Sequence, residues 1–358
     1  MPRNRLSAVL YQQDSLITRA QALTLGLSDG AIRHAIAPSG KWQIVVPGIY
    51  AAFTGPLTEL HRLRAAVLFG GPASVITGAT ACRLYRLSYV PKSDDIDVLV
   101  RADTRRREPQ GMRFHRTSRL PAPTFWTNGD VDTARHGELM ASDALTNGAL
   151  KGQIPLAPPG RAALDAVQFQ YSVVRRSRSG RVPPRLFSAL VRDTRALLCE
   201  VVQRRRASVD TMLDELRMTA SRNRAVASLA MDDIVAGCRS APECELRDLV
   251  KISSVLPEPR WNQPLPGYRP KHRSEALTPD GCIQRARLVI EVDSVEWHRI
   301  GPRQEHTEKR RARYAELGWL VISVSPHRIR HEPDEVLREI ERAYLASINR
   351  QKINGNLL

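Results

Sequence analysis

Two apolar runs, Leu288–Val292 and the stretch WLVISVS at 319–325, flank the strongly charged segment RQEHTEKRRARYAEL at 303–317. The spacing predicts a strand, a helix stopped by Gly318 and a second strand in succession. The second run is apolar without alternation, which suits a sheet covered on both faces. The first run breaks that rule. Glu291 lies inside it and Asp293 follows at once. In a strand expected over Ala286–Val292, Leu288, Ile290 and Val292 point one way, and Glu291 and Asp293 the other. Two carboxylates therefore share one face at the end of a core strand.

A third acid, Asp280, stands a short hairpin upstream in TPDGC. If its strand lies alongside, three oxygen donors converge, as a hard cation requires. Magnesium binds through a few carboxylates, water and phosphate oxygens. It then activates a water and stabilises charge on a phosphate under attack. Without a cation, carboxylates this close repel, and one tends to stay protonated. The competing expectation is an exposed strand face whose acids pair with Arg285 or Arg287. Before this segment, SAPECELRDLVKISSVL opens a helix with Ser240 and Glu243 in capping-box spacing and Pro242 in the first turn.

Charge narrows the partners. Fifty-four Lys and Arg against 37 Asp and Glu leave 358 residues with a formal charge of +17. That balance favours nucleic acid first and an anionic membrane surface second. Around the acids, Arg299, Arg303, Lys309, Arg310, Arg311 and Arg313 form a dense basic segment, joined by Lys271, His272 and Arg273. The five cysteines lack the C-x-x-C spacing of a zinc site, so reduced structural thiols and a cytoplasmic setting are expected. The N-terminal residues carry no apolar signal-peptide core. The most apolar stretch, Ala65–Cys82, is interrupted by glycines and Pro72, so no membrane span is expected.

Residues 1–56 read as helix, turn, helix and hairpin. Thr18 caps one helix, Gly26 ends it, and Ser28 caps the next. Ile32 and Ile36 give that second helix an apolar face, leaving Arg33, His34 and Lys41 for a partner. Two short strands then surround Pro47-Gly48. This is the order of a winged helix-turn-helix, whose second helix enters the major groove. Residues 57–170 read as an α+β domain. It holds a helix, a Gly-Pro break, a second helix, and the strands DDIDVLV and GMRFHRT before the helix opened by RAALDAV. Asp95 and Asp97 there raise a nucleotidyltransferase alternative, but a surface strand with both acids in solvent is the stronger expectation. Residues 171–239 form a basic helical connector, and 240–350 the last domain.

The run ITRAQALTLGLSDGAIRHAI, followed by KWQIVVPGIYA, resembles the N-terminal domain of abortive-infection (AbiEi-type) antitoxins. These are DNA-binding regulators paired with a toxin in bacterial phage defence. The order Glu243, Asp280, Glu291-Val-Asp293, Trp297-His298, Arg310 and Gly318-Trp319 resembles a second family. That family is the uncharacterised endonuclease-like domain related to very-short-patch-repair endonucleases, in the PD-(D/E)XK superfamily.

Together these resemblances imply an α/β multidomain protein with a winged helix-turn-helix, a middle α+β domain and a C-terminal restriction-endonuclease-like domain. They imply DNA and a cognate toxin protein as partners. The second also implies magnesium-dependent hydrolysis of phosphodiester bonds, in phage defence or DNA repair. Asp280 and Glu291 would be the principal metal ligands, with Asp293 beside them. His298 would act as general base, Glu243 would reach the site from its helix, and Arg310 would touch phosphate. The chain departs from the pattern in places. Asp293 stands where the superfamily often has lysine, Ser294 replaces a frequent glycine, and Pro279 and Gly281 flank Asp280. These departures frame the alternative, a non-catalytic AbiEi-type regulator with a degenerate nuclease fold.

Overall fold

A computed structural model describes residues 2–127, 130–132, 151–178, 180–219, 224–270, 272, 276–293 and 302–353. The chain is mixed α/β and divides into two compact units. One comprises residues 1–182 and 205–223; the other comprises 183–204 and 224–358. Residues 171–239, expected as a connector, are shared between both.

In the first unit, α1 (Pro2–Gln12) leads into β1 (Leu16–Thr18), α2 (Arg19–Thr24) and α3 (Asp29–Ala35). Thr18 caps α2 in a capping box with Gln21, and Ser28 caps α3 through the Ala31 N–H. Each cap satisfies an amide that would otherwise lack a partner in the first turn. β2 (Gln43–Val46) and β3 (Ile49–Ala51) form the expected hairpin at Pro47-Gly48, and β3 also pairs with β1. Ile17, Ala22, Ile32 and Tyr50 make the small core between these elements.

The rest of this unit is built on a six-stranded sheet. After α4 (Glu59–Gly70) come β4 (Val75–Ile76), α5 (Gly78–Leu84), β5 (Ile96–Arg101), β6 (Met112–Thr117), β7 (Thr124–Thr127), β8 (Asp130–Asp132) and β9 (Gln153–Leu156). The strand order is β6-β5-β4-β9-β7-β8. The helix α6 (Pro159–Ser177) packs on α5, and α8 (Val209–Arg217) packs on α6. A buried ion pair ties the small N-terminal core to this sheet. Arg64 Nε donates to Asp14 Oδ2 at 3.0 Å, and its Nη2 reaches the Gln153 carbonyl at 2.6 Å.

One expectation for this unit fails. Asp97 is 3% exposed rather than in solvent, and Asp95 pairs with Arg113. The cause is that β5 lies between β4 and β6, and Asp97 is drawn inward by His115 Nε2 at 2.9 Å.

The second unit contains α7 (Pro184–Gln203), α9 (Ala225–Val235) and α10 (Ala241–Ile252) ahead of a four-stranded sheet. Its strands are β10 (Arg260–Trp261), β11 (Gly281–Ile283), β12 (Leu288–Val292) and β13 (Leu320–Val324), in spatial order β10-β11-β12-β13. β11 runs antiparallel to both β10 and β12. β12 and β13 are parallel, joined through α11 (Pro302–Glu316). The helices α12 (Pro326–His331) and α13 (Pro333–Ile353) follow, and α13 packs on β12 and β13.

The expected strand over Ala286–Val292 begins later, at Leu288. Residues Gln284–Ala286 form a 3-10 turn, and Arg287 at φ 44° takes the left-handed conformation that reverses the chain. Leu288, Val289 and Ile290 are each fully buried, which stabilises the strand by roughly 1.5–3 kcal/mol per side chain. Gly318, at φ +76°, ends α11 as expected. All five cysteines are buried free thiols. Among the described residues no helix is long and apolar enough to cross a membrane.

Candidate active site

The antiparallel register of β11 and β12 pairs Gly281 with Ile290. One step further along the same register, Asp280 faces Glu291, and directly opposed residues lie on the same side of a sheet. Asp280 is locked there because its Oδ2 accepts the Val292 N–H at 2.7 Å. The Pro279-Asp280-Gly281 sequence, poor for a strand interior, thus sits where the ladder begins and the aspartate closes it.

Glu291 is 4% exposed. Its Oε2 accepts from Arg310 on α11, while its Oε1 is buried and has no hydrogen-bond partner among the described residues. The Tyr314 hydroxyl, one turn beyond Arg310, is buried beside it and favours the charged form of Glu291. Asp293 accepts from Arg311 Nη2 at 2.5 Å, and its own N–H donates to the Val324 carbonyl at 2.9 Å. The acids are therefore paired, as the competing expectation held, but with arginines of α11 rather than with Arg285 or Arg287.

Glu243 approaches from α10. Its carboxylate accepts from the Arg239 N–H at 2.8 Å, the Ser240 hydroxyl at 2.7 Å and Asn262 Nδ2 at 2.5 Å. Ser240 caps the helix as expected, while Glu243 bonds the amide one residue earlier than a capping box would place it. Capping and facing the site are both served by this one side chain.

Electrostatics bind these groups together. Burial, then the charges of Glu291 and Glu243, push Asp280 up to about 7, against the Val292 N–H and Arg310. Burial is also the main cause that raises Glu291, with Asp293 adding to it and Arg310, Tyr314 and Arg311 opposing. Glu243 is raised by burial despite its three donors. A proton held at neutral pH by Asp280 is the expected result of crowding carboxylates out of water.

The site opens into a cleft of about 710 Å3, lined by Glu243, Asp280, Asn262, Tyr268 and the α11 residues Lys309, Arg310 and Arg313. Those three cations recur at helical spacing, so one helix delivers them together. Neither Glu291 nor Asp293 is among the lining residues. Among the described residues no three of His, Cys, Asp and Glu form a group able to hold a metal ion. Glu291 and Glu243 both act on Asp280, and Asp293 acts on Glu291. Trp297, His298, Arg299, Lys271 and Arg273 lie outside the described residues. Tyr314, Asn262 and Tyr268 were not expected. Only Tyr314, four residues from Arg310 on the same helix face, left a signal in the sequence.

In the first unit, Arg33 and His34 are exposed on α3, and Lys41 is exposed ahead of β2. These features define a mixed α/β chain with a half-buried carboxylate, Asp280, lining a basic cleft and a buried one, Glu291, behind it. Over 112 residues, 30% of this chain, it is 35% identical to an uncharacterized protein of Mycobacterium tuberculosis, found in strains CDC 1551 and H37Rv. The match spans 39% of that relative's length. No family profile matches the chain.

Proposed function

We propose that this chain binds DNA and that its second unit is a magnesium-dependent endonuclease hydrolysing phosphodiester bonds. The observation that carries the reading is the Asp280–Glu291 pair: a half-buried and a buried carboxylate, crowded enough to hold a proton, beside a cleft lined with cations. The donor set fits magnesium, which commonly takes one or two carboxylates and completes its shell with water and substrate oxygens. The orphaned Glu291 Oε1 is the kind of atom such an ion would satisfy.

Asp280 and Glu291 would hold the ion, which when bound polarises a phosphate and acidifies a water. Arg310, half-buried against Glu291, supplies positive charge at the same point, while Lys309 and Arg313 attract the polyanion. Glu243 keeps Arg239 and Asn262 in place in the lining of the same cleft. His298 is the general base that the resemblance to the repair-endonuclease relatives suggests. In the first unit, α2, α3 and the β2–β3 hairpin have the order of a winged helix-turn-helix. Arg33, His34 and Lys41 would then meet duplex phosphates.

A second reading has its own support. The ion pairs Arg310–Glu291 and Arg311–Asp293 already balance the acids. A chain that keeps them would be an AbiEi-type regulator that binds DNA or a toxin without cutting. Incubation of supercoiled plasmid with the protein, with magnesium or with EDTA, separates the two. The endonuclease reading expects cutting that needs the metal and disappears in Asp280→Ala and Glu291→Ala. Cutting that survives both substitutions removes this site. Sequence-specific binding without cutting supports the regulator.

A further inference from the structure

The size and lining of the cleft say more than that it is basic. At about 710 Å3 it falls in the range of sites that enclose a small molecule, roughly 300–1,000 Å3. A duplex engages an extended protein surface, on the order of 1,000–2,500 Å2. Asp280 lines the cleft, while Glu291, its partner, is 4% exposed.

Tyr268 is another of the lining residues. It closes the turn Leu265-Pro266-Gly267-Tyr268, in which the Tyr268 N–H donates to the Leu265 carbonyl at 3.2 Å and Gly267 sits at φ +76°. Proline followed by a positive-φ glycine is the sequence of a rigid type II turn. The ring also packs against the core of Leu265, Leu277, Val289 and Tyr314. An aromatic ring fixed by a turn in a cleft that Lys309, Arg310 and Arg313 also line is the combination that holds unpaired nucleotides. The bases stack on the ring and the cations follow the backbone.

We infer that the cleft takes a single-stranded or extruded nucleotide segment, stacked on Tyr268, rather than an intact duplex. The inference rests on the endonuclease reading for the fate of the bound strand, and specifies its substrate class. A target that is already unpaired enters without the cost of unstacking, a few kcal/mol for a base inside a duplex.

The test uses the full chain. Fluorescence anisotropy with a labelled single-stranded oligonucleotide and with a blunt duplex, in EDTA, compares wild type with Tyr268→Leu and Lys309→Met. Leucine keeps an apolar side chain against the core, and thermal unfolding confirms that the variant folds. Tyr268→Leu is expected to weaken single-strand binding on the order of tenfold and leave duplex binding unchanged. Lys309→Met is expected to flatten the salt dependence of single-strand binding by about 0.7 in the log–log slope.

With magnesium, a duplex carrying a single-stranded flap is expected to be cut faster than the blunt duplex. Unchanged single-strand binding in Tyr268→Leu, or equal cutting of both substrates, overturns the inference and leaves the endonuclease reading standing. Single-strand binding that depends on Tyr268, with no cutting of any substrate, overturns the endonuclease reading and leaves the assignment of the cleft intact.

Discussion

Asp280 Oδ2 accepts the backbone N–H of Val292 at 2.7 Å, which fixes the aspartate across the sheet from Glu291. This bond places a carboxylate where water is scarce and other carboxylates are near. It favours the charged form, yet burial and the neighbouring acids outweigh it. The site is therefore electrostatically strained when no cation is bound.

That strain has a pH signature. Asp280 is raised from its ordinary value of 3.8 to about 7 in the folded chain. Between these values the folded state binds the proton more tightly than the unfolded state, so stability falls as pH rises through that window. In EDTA, Asp280→Asn is expected to remove this loss. It should match wild type near pH 4 and exceed it at pH 8 by a few kcal/mol, about 1.4 kcal/mol for each pH unit of the window. Urea denaturation of both proteins from pH 4 to 8 measures the difference, and parallel curves would contradict the account.

Arg310 is the counter-charge. Its side chain is 32% exposed, while that of Glu291 is 5% exposed. Arg310→Met leaves Glu291 buried and uncompensated, and is expected to cost about 3 kcal/mol, the low end for breaking a buried pair. Thermal unfolding in EDTA reads the loss. Excess magnesium is expected to restore part of it, because an ion that binds only the folded state stabilises it. A variant as stable as wild type would show that the pair is a surface contact.

Arg33 and Lys41 test the first unit. If they touch duplex phosphates, each alanine substitution weakens binding to all duplex sequences alike and reduces the salt slope by about 0.9. Anisotropy titrations at several salt concentrations supply the slope. A sequence-dependent loss would assign the residue to base reading instead.

Local signals in the sequence were reliable. The Thr18 and Ser28 caps, the Pro47-Gly48 hairpin and the stop at Gly318 all depend on neighbours a few residues away, and all appear in the structure. The strand–helix–strand order around Glu291 also followed from apolar spacing. What remained hidden depends on distant partners. Asp97 alternates with apolar residues as a half-exposed strand would, and only a second β-strand carrying His115 draws it into the interior. Arg311 reaches Asp293 from across a helical crossover, and no local rule prefers it over Arg285 or Arg287. Tyr268 became meaningful only when the fold brought it into the lining of one cleft with Asp280 and Glu243.

The claim on which the rest depends is that Asp280 and Glu291 jointly hold a divalent cation. Isothermal titration calorimetry of magnesium into the metal-free full chain tests it without reference to cutting. The account predicts one ion per chain, lost in both Asp280→Asn and Glu291→Gln. Binding that persists in both variants, or no binding in the wild type, would contradict it.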